Sequence, residues 1–347
     1  MEQPTVSSST TVLVTGATGF AGSHTVKALA ERDDVQVVAA CRDPAALPAD
    51  FRGEVRAGDL TDPRYREDAL RDVDVVVHCA SWTAAWGHAK QSREHHLRPT
   101  LELIGDAMAL GVRRFVHISS TAIAAPEGAA DAMSHPEPLP HFPHLDNVRR
   151  IEETLRERAG EGLEVVNLRL GFFVGTHYGL GILPLLLPRL KTHLVPWVSG
   201  GRTHLPLIDG RDVGQALALA ATTPGLAGYR SFNVIGPENP TVREVLEHLA
   251  TEYGVPAPRF SVPFAGAYAF AWLMEKLDPL VPWEPLVTRS IVQFLEEQVV
   301  DNEAFTAATG YVPKHRWQDA IQAQLSEMAT RQARPMPMIK PLPNDIA

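Results

Sequence analysis

The sequence predicts an α/β fold in which helices cover both faces of a doubly wound, mostly parallel sheet. Two observations carry this prediction. In the first half of the chain, short apolar runs rich in β-branched residues alternate with helical patterns, as they do in doubly wound sheets. One of these runs, VDVVVHCAS (73–81), is apolar without alternation, which is typical of a strand buried on both faces.

The predicted elements follow one another in this order along the chain. We expect strands at 11–16, 35–41, 73–81, 114–120 and 163–171, and helices between them that include 101–111 and 148–160. After residue 172 prolines interrupt the rhythm, and a run at 230–237 is expected to return to the sheet as a further strand.

The loss of strand–helix alternation after residue 172 predicts two structural units and a C-terminal tail. We assign residues 9–172, with a return segment at about 205–236, to the sheet domain. Residues 173–204 and 237–330 are expected to form a smaller mixed C-terminal lobe that binds substrate, and 331–347 a proline-rich tail. A chain of 347 residues is long enough for both units.

Composition excludes several functional classes. The net charge is −9 and no basic run is present, which argues against nucleic-acid binding. The apolar runs are shorter than the roughly 20 residues that span a bilayer, and the first ten residues lack the features of a signal peptide. The two cysteines, Cys41 and Cys79, do not suggest a disulfide framework. We therefore expect a cytoplasmic protein.

A glycine-rich turn follows the first predicted strand. TGATGFAG places Gly16, Gly19 and Gly22 between that strand and an amphipathic helix. Glycine lets the chain turn sharply and lets the backbone approach a pyrophosphate, which then sits at the N-terminus of the helix. The glycines are spaced by three and three, whereas the general dinucleotide fingerprint has two and three. The turn predicts a bound dinucleotide.

The chain resembles the extended short-chain dehydrogenases/reductases, the superfamily of NAD-dependent epimerases and dehydratases. The resemblance rests on the motifs VLVTGATGFAGSH, GDLTD (58–62), GVRRFVHISST (111–121), LRLGFFVG (168–175), LPLIDGRDVGQAL (205–217) and ATGYVPKHRWQDAI (308–321). It implies a Rossmann-type sheet and a nicotinamide cofactor. The cofactor contacts that it implies are Thr15, Gly16, Thr18, Gly19, Phe20, Ala21, Gly22, Asp59, Leu60, Ala80 and Ser81.

The end of the second strand bears on the choice of dinucleotide. An acidic residue there would bind the ribose hydroxyls and disfavour a 2′-phosphate. Here Cys41 occupies that position and Arg42 follows, and an arginine fork suits a phosphate. NADP(H) is therefore the preferred cofactor. NAD(H) stays possible if Arg42 stacks on adenine or faces solvent.

Enzymes of this superfamily use a Ser or Thr, a Tyr and a Lys as a proton-transfer set. By that pattern Thr121, with Ser120 beside it, supplies the hydroxyl. The usual Tyr and Lys are missing from PHLDNVRR (143–150). Matching the helix that follows puts His144 in the Tyr position and Val148 in the Lys position, whereas a shift by one residue gives Leu145 and Arg149.

His144 is the candidate replacement acid. Imidazole exchanges protons near neutral pH without the lysine that a phenol needs, and Asp146 or Arg149 could orient it. The alternative is a surface histidine that precedes a helix. His141 and His144 in HFPH could suggest a metal, but no nearby Cys, Asp or Glu completes a site, so no metal is expected.

Three functions remain open on the sequence. The first is an NADP(H)-dependent reductase or dehydrogenase for a small, apolar carbonyl, hydroxyl or enone substrate, with an altered proton donor. The second is an inactive cofactor-binding protein with a regulatory or assembly role, and the third is an epimerase or lyase. The loop 125–143 is expected to form a lid or specificity loop. Trp82 and Trp86 either wall a substrate pocket or belong to the ordinary packing of the lobe. The resemblance also implies a homodimer formed through helices at about 96–111 and 148–160.

Overall fold

The computed structural model describes residues 9–84, 87–179, 181–280, 285 and 287–333. Its strands are Thr10–Thr15 (β1), Val35–Cys41 (β2), Glu54–Ala57 (β3), Val75–His78 (β4), Arg114–Ser120 (β5), Glu164–Leu170 (β6), Phe172–Val174 (β7), Trp197–Val198 (β8), Leu207–Asp209 (β9), Tyr229–Val234 (β10) and Ser261–Val262 (β11).

The helices connect these strands. They are Phe20–Ala30 (α1), Pro63–Leu70 (α2), Ala89–Ser92 (α3), Arg98–Ala109 (α4), Pro143–Ala159 (α5), Ile182–Leu190 (α6), Gly210–Thr222 (α7), Val242–Tyr253 (α8), Phe264–Leu277 (α9), Arg289–Gln293 (α10), Glu303–Thr309 (α11) and Trp317–Ala333 (α12). A π-helical segment, Arg93–Leu97, joins α3 directly to α4.

The central sheet has seven strands in the order β10-β6-β5-β4-β1-β2-β3, and every neighbouring pair is parallel. Chain order reverses between β1 and β4, which is the position where ligands bind in open α/β sheets. The prediction of a doubly wound, Rossmann-type sheet is confirmed. Two further pairs, β7 with β9 and β8 with β11, are short.

Both faces of the central sheet are buried, as the unbroken apolar runs predict. In β1, Val12 and Val14 pack in a cluster with residues of α1 and α7. Leu13 points the other way, into a cluster with residues of α2, α4 and α5. This alternation within one strand puts helices on both sides of the sheet.

The second half of the chain builds a separate apolar cluster. Leu183 of α6, Leu246 of α8 and Trp317 of α12 are among its buried members. Leu205 and Leu207, inside the predicted return segment, also pack there. The boundaries of the substrate lobe stay a prediction, and residues 334–347 of the proline-rich tail lie outside the described part of the chain.

Several predicted elements differ from the structure in extent. The strand expected at 73–81 ends at His78, and β3 was not expected because its four residues, EVRA, carry little apolar signal. The helix expected at 148–160 begins at Pro143, since proline is well suited to the first helical position. PHLDNVRR therefore forms the first two turns of α5.

Candidate active site

The phosphate loop joins β1 to α1 by a turn that only glycine allows. Gly16 has a φ of 61°, and a Cβ atom there would lie 2.7 Å from Cα of Ala80. The Gly19 amide donates to the Gly16 carbonyl at 2.9 Å, and a Cβ atom at Gly22 would lie 2.2 Å from that same carbonyl oxygen. The absence of side chains at these glycines lets the first turn of α1 lie directly against the end of β1.

The N-terminus of α1 is suited to an anion. No acidic residue lies in its first turn, and no side chain caps it, so its backbone N–H groups and helix dipole are available to a pyrophosphate. Phe20 and Ala21 are buried, with the Phe20 ring 4.9 Å from that of Phe173, whereas Gly19 is exposed and Thr18 partly so. The cradle therefore offers backbone rather than side chains, which fits a dinucleotide.

The predicted adenosine side lies at the ends of β2 and β3. Arg42 and Asp59 are both exposed there, and Leu60 is partly buried. Asp59 Oδ1 accepts hydrogen bonds from the amide and hydroxyl of Thr61, at 2.9 and 2.8 Å. The Thr61 amide bond is the main cause that lowers the pKa of Asp59, and the positive charge of Arg42 adds to it. A cation and an anion thus share this rim.

At the switch point, polar side chains tie β1 to β4. Thr15 Oγ1 accepts from the Ala80 amide at 3.3 Å and lies 2.8 Å from Nδ1 of His78. Nε2 of His78 lies 2.9 Å from the hydroxyl of Thr100. Burial lowers the pKa of His78 to about 4, so its ring is neutral at pH 7. The Thr15 hydroxyl is therefore used inside the fold, while Ser81, just beyond, is exposed.

Three consecutive hydroxyls at the end of β5 have three different environments. Ser119 donates to Glu152 at 3.0 Å inside the protein, so it is not at the cleft. Ser120 Oγ accepts from the Ala122 amide at 3.2 Å and caps a short 3₁₀ turn, Thr121–Ile123. The Thr121 hydroxyl is buried, and no described residue bonds to it. A buried polar atom without a partner requires an explanation, and a substrate oxygen would provide one.

His144 lies inside the first turn of α5 and is partly buried, so it is not a surface residue ahead of the helix. Its Nε2 atom lies 3.5 Å from the hydroxyl of Thr83, which follows Ala80 and Ser81 after β4. The backbone of Ala80 lies so close to Gly16 that a Cβ atom there would be 2.7 Å from the Ala80 Cα, so the segment 80–83 leads from the phosphate loop to His144. Burial lowers the pKa of His144 to about 4, so the ring is neutral at pH 7.

The two residues that the sequence offers at the family's lysine position, Val148 and Arg149, provide no free positive charge to the site. Val148 is buried in an apolar cluster with Ile123 and Leu145. Arg149, the alternative in the other register, donates to Asp146 at 2.9 Å and to Glu153 at 2.5 Å. Asp146 and Arg149 thus pair with each other, and no bond of either to His144 is found in the described part of the chain. The expectation that one of them orients His144 finds no support.

The loop 125–143 is anchored along its first half. Arg169, fully buried, forms an ion pair with Glu152 at 2.6 Å and donates to the Ser134 carbonyl at 2.7 Å. Asn233 donates to the Ala129 carbonyl at 2.7 Å. A buried charge pair that also bonds the loop backbone holds this segment in place, so the first half is not a free lid. A role in specificity stays a prediction.

Other expectations concern residues near the cleft. Trp82 is partly buried, with its ring edge-on to His88 at 5.9 Å, while Trp86 lies outside the described residues. No helix in the described ranges has both the length and the apolar character needed to cross a bilayer. Across those same ranges, His, Cys, Asp and Glu side chains do not assemble into a metal site.

Sequence reasoning missed His96 and His117, which lie beneath the candidate site. His96 is 4% exposed and its ring centroid lies 5.3 Å from that of His144. His117 is 1% exposed and stacks on His78 at 6.5 Å. For His117 the available signal was a histidine within the apolar run FVHIS, whereas His96 lies in the polar stretch REHHLR and gave no such signal. Their convergence depends on tertiary structure.

A dinucleotide-binding protein of the short-chain dehydrogenase/reductase type is the class that this fold and loop define. The chain belongs to the NAD dependent epimerase/dehydratase family, whose model matches residues 12–236.

Comparison with individual proteins agrees with this family. Sterol demethylase protein B of Methylococcus capsulatus is 31% identical over 283 residues, which are 77% of this chain and 82% of that protein. The 4-hydroxy-2-methyl-3-oxo-4-farnesyl-3,4-dihydroquinoline-1-oxide ketoreductase of Stigmatella aurantiaca is 24% identical over 317 residues, covering 89% of this chain and 94% of that protein. The UDP-glucuronic acid 4-epimerase of Bacillus cereus, solved with NAD, has a TM-score of 0.70 at 18% identity, covering 92% of this chain and 99% of that one. At that identity it supports the fold alone.

Proposed function

We propose that this chain is an NADP(H)-dependent oxidoreductase that interconverts the hydroxyl and carbonyl forms of a small apolar substrate, with His144 as the proton-transfer residue. The observation that carries the proposal is the short segment from Ala80, whose backbone lies beside Gly16, to Thr83, whose hydroxyl lies 3.5 Å from Nε2 of His144. It links a phosphate cradle to a titratable side chain, with the unpartnered hydroxyl of Thr121 at the end of the neighbouring strand.

Each of these groups has a part in the reaction. A bound nicotinamide would exchange hydride with the substrate carbon. Thr121 would donate a hydrogen bond to the substrate oxygen, and His144 would take or give the proton on that oxygen. Because burial lowers the pKa of His144 to about 4, the neutral ring at pH 7 is ready to accept a proton. At neutral pH His144 is therefore in the protonation state that oxidation of the alcohol requires.

An apolar substrate is supported by the relatives and by the C-terminal lobe. The names of the two relatives refer to a sterol and to a farnesyl-bearing quinoline oxide. In this chain Phe264, Tyr268 and Trp272 of α9 line an open groove with Glu296. The preference for NADP(H), a cytoplasmic location and a homodimer through α4 and α5 are part of the same proposal, and the last two rest on composition and family resemblance alone.

The test is turnover with a matched pair of variants. We expect the purified protein to bind NADPH and to oxidise or reduce members of a panel of secondary alcohols, ketones, aldehydes and enones. His144→Phe should lower kcat at least about 100-fold, the usual contribution of general acid–base catalysis. His135→Phe, at an exposed histidine of the preceding loop, should leave kcat unchanged.

The pH dependence of kcat/KM shows whether His144 acts as the catalytic base. With His144 as base, kcat/KM for oxidation rises with pH up to the pKa of His144 and is then constant. Reduction needs the protonated ring, so its rate falls as pH rises above that pKa. If His144→Phe retains full turnover, the proposed role of His144 is wrong.

One observation favours a second function, an inactive cofactor-binding protein. Val148 sits in an apolar cluster where the family keeps a lysine, so no charge there can hold a nicotinamide ribose. Tight NADPH binding without turnover of any panel member, together with co-purification of a larger protein, would support this alternative.

A further inference from the structure

Four histidines on four different elements meet in the interior beneath the candidate site. His78 ends β4, His117 lies in β5, His96 lies in the π-helical segment and His144 begins α5. The rings of His78 and His117 stack at 6.5 Å, and those of His96 and His144 are 5.3 Å apart. Only His78 has both ring nitrogens bonded, to Thr15 and Thr100.

Two members, His96 and His117, have no described bond at either ring nitrogen, and His96 is the one whose ring lies next to that of His144. It is 4% exposed, and no described residue forms a hydrogen bond with either of its ring nitrogens. Burying an imidazole without partners costs free energy. A purely structural position would be filled more favourably by an apolar side chain.

The backbone around His96 is also irregular. Residues 93–97 form a π-helical turn between α3 and α4. Such turns interrupt regular helical bonding and are frequent at functional sites. Here the turn carries His96, whose ring contacts that of His144. Its neighbour His95 is exposed.

We propose that His96 and His144 form a proton-sharing pair in which His96 is the positioning residue and His144 the residue that meets the substrate oxygen. The proposal rests on the proposed function for the role of His144. The ring separation allows an N–H···N hydrogen bond once one ring turns, because the outer torsion of histidine is broad and about two-fold.

The proton balance of the step is simple. When the substrate alcohol is oxidised, its C–H bond breaks and hydride goes to the oxidised nicotinamide. The O–H proton moves to His144, whose ring becomes an imidazolium and shares the added charge with the neutral ring of His96. In carbonyl reduction the same proton returns from the pair to the substrate oxygen.

The surroundings favour one proton on the pair over two. Burial is the main cause that holds the pKa of His96 well below its usual value, and the three other histidines, His144, His78 and His117, add to the effect. These three are the titratable groups that face His96 from β4, β5 and α5. A single shared proton avoids the repulsion between two charged rings.

The test follows the titration of His144 by side-chain ¹H–¹⁵N NMR in the NADP⁺-bound protein, because bound cofactor stabilises the fold at low pH and the oxidised form of the cofactor is stable in acid. A neighbour that hydrogen-bonds the charged form raises a pKa. We therefore expect His96→Phe to lower the apparent pKa of His144 by about one unit. The variant should also lower kcat about tenfold or more with little change in KM.

Two further variants separate proton sharing from packing. His96→Gln keeps an acceptor for the His144 N–H, so the apparent pKa of His144 should lie above its value in His96→Phe. His117→Phe removes an equally buried ring that is stacked on His78, and it should leave the titration of His144 unchanged. Thermal melting shows which variants are folded.

Two outcomes would contradict the proposal that His96 and His144 share a proton. An unchanged His144 titration in folded His96→Phe means that His96 only fills space, and a raised apparent pKa means that the two rings only repel. Neither outcome depends on turnover. Failure of the proposed function would instead appear as full activity in His144→Phe or as no activity toward any substrate.

Discussion

The phosphate loop and the start of α5 lie on the same edge of the sheet, yet they keep the family's residues to very different degrees. At the loop, a Cβ atom at Gly16 or Gly22 would collide with the backbone, and one at Gly19 would lie 3.3 Å from the Gly16 carbonyl oxygen. At the start of α5, the helix begins at Pro143, and His144 and Val148 stand where the sequence resemblance predicts the two proton-transfer residues.

This difference follows from what each region must do. A phosphate cradle depends on backbone geometry, so few side chains can replace glycine. Proton transfer depends on a pKa and on reach, and several side chains provide both. The loop therefore identifies the ligand class, while the start of α5 leaves the reaction to be determined from local geometry.

The largest expected effect tests the loop. Gly22→Val puts a branched side chain where even a Cβ atom lies 2.2 Å from the Gly16 carbonyl oxygen. The first turn of α1 must then move away from β1, and the phosphate cradle opens. We expect NADPH affinity to fall at least about 100-fold, or roughly 2.7 kcal/mol, as measured by fluorescence titration.

Gly105→Ala is the control for this change. It lies on an exposed part of α4, and a Cβ atom there meets nothing within 4 Å. It should raise the free energy of unfolding by about 0.5–1 kcal/mol and leave NADPH binding intact. Normal NADPH affinity in a folded Gly22→Val protein would show that the cradle does not hold the cofactor.

Much of the fold could be predicted from the sequence because the relevant signals are local. The unbroken apolar strands and the Gly16–Gly22 turn are short-range features, and both lie where the pattern indicates. The pattern of LELIGDAMALG predicts the helix after His96 only from residue 101. The structure instead continues it back through the π-helical turn to Ala89.

The candidate site could be predicted only in part, for a different reason. Thr121 and His144 follow from the family pattern, but the burial that makes His144 neutral does not. The four histidines are separated by 18, 21 and 27 positions along the chain. No periodicity connects them, so only the packing of β4, the π-helical segment, β5 and α5 brings them together.

The second expected effect is a loss of folding stability at low pH, which arises from the four interior histidines and not from the phosphate loop. Burial lowers the pKa of His78 to about 4 and that of His117 to about 3, and it also lowers those of His96 and His144. In the unfolded chain a histidine takes up a proton near pH 6.5. Below that pH the unfolded state binds more protons, so stability falls as pH falls from about 6.5 toward 4.

The size of this loss can be measured by urea unfolding at pH 7.5, 6.5 and 5.5. Each buried histidine should contribute about 1 kcal/mol of lost stability between pH 6.5 and 5.5. His117→Phe should reduce that loss by about the same amount, whereas His135→Phe, at an exposed site, should leave it unchanged. Equal pH slopes in the wild type and in His117→Phe would show that His117 does not resist protonation in the fold.

The smallest expected effect is on the preference between NADPH and NADH, which should depend on Arg42 and Asp59 at the predicted adenosine side. A 2′-phosphate would be attracted by the guanidinium and repelled by the carboxylate. Asp59 already accepts two hydrogen bonds from Thr61 through one oxygen, whereas Arg42 is exposed and its fork can turn toward a phosphate. The arginine should therefore decide the preference, and charge-assisted bonds of this kind contribute about 1.5 kcal/mol or more.

Arg42→Ala should accordingly weaken NADPH binding about tenfold and leave NADH binding nearly unchanged. Arg230→Ala is the matched control, since Arg230 is exposed on β10 at the opposite edge of the sheet. Both affinities should be measured at two salt concentrations, because an exposed charge interaction weakens as salt rises. Equal losses for NADPH and NADH would place Arg42 against the adenine and leave the 2′-phosphate without a partner in this chain.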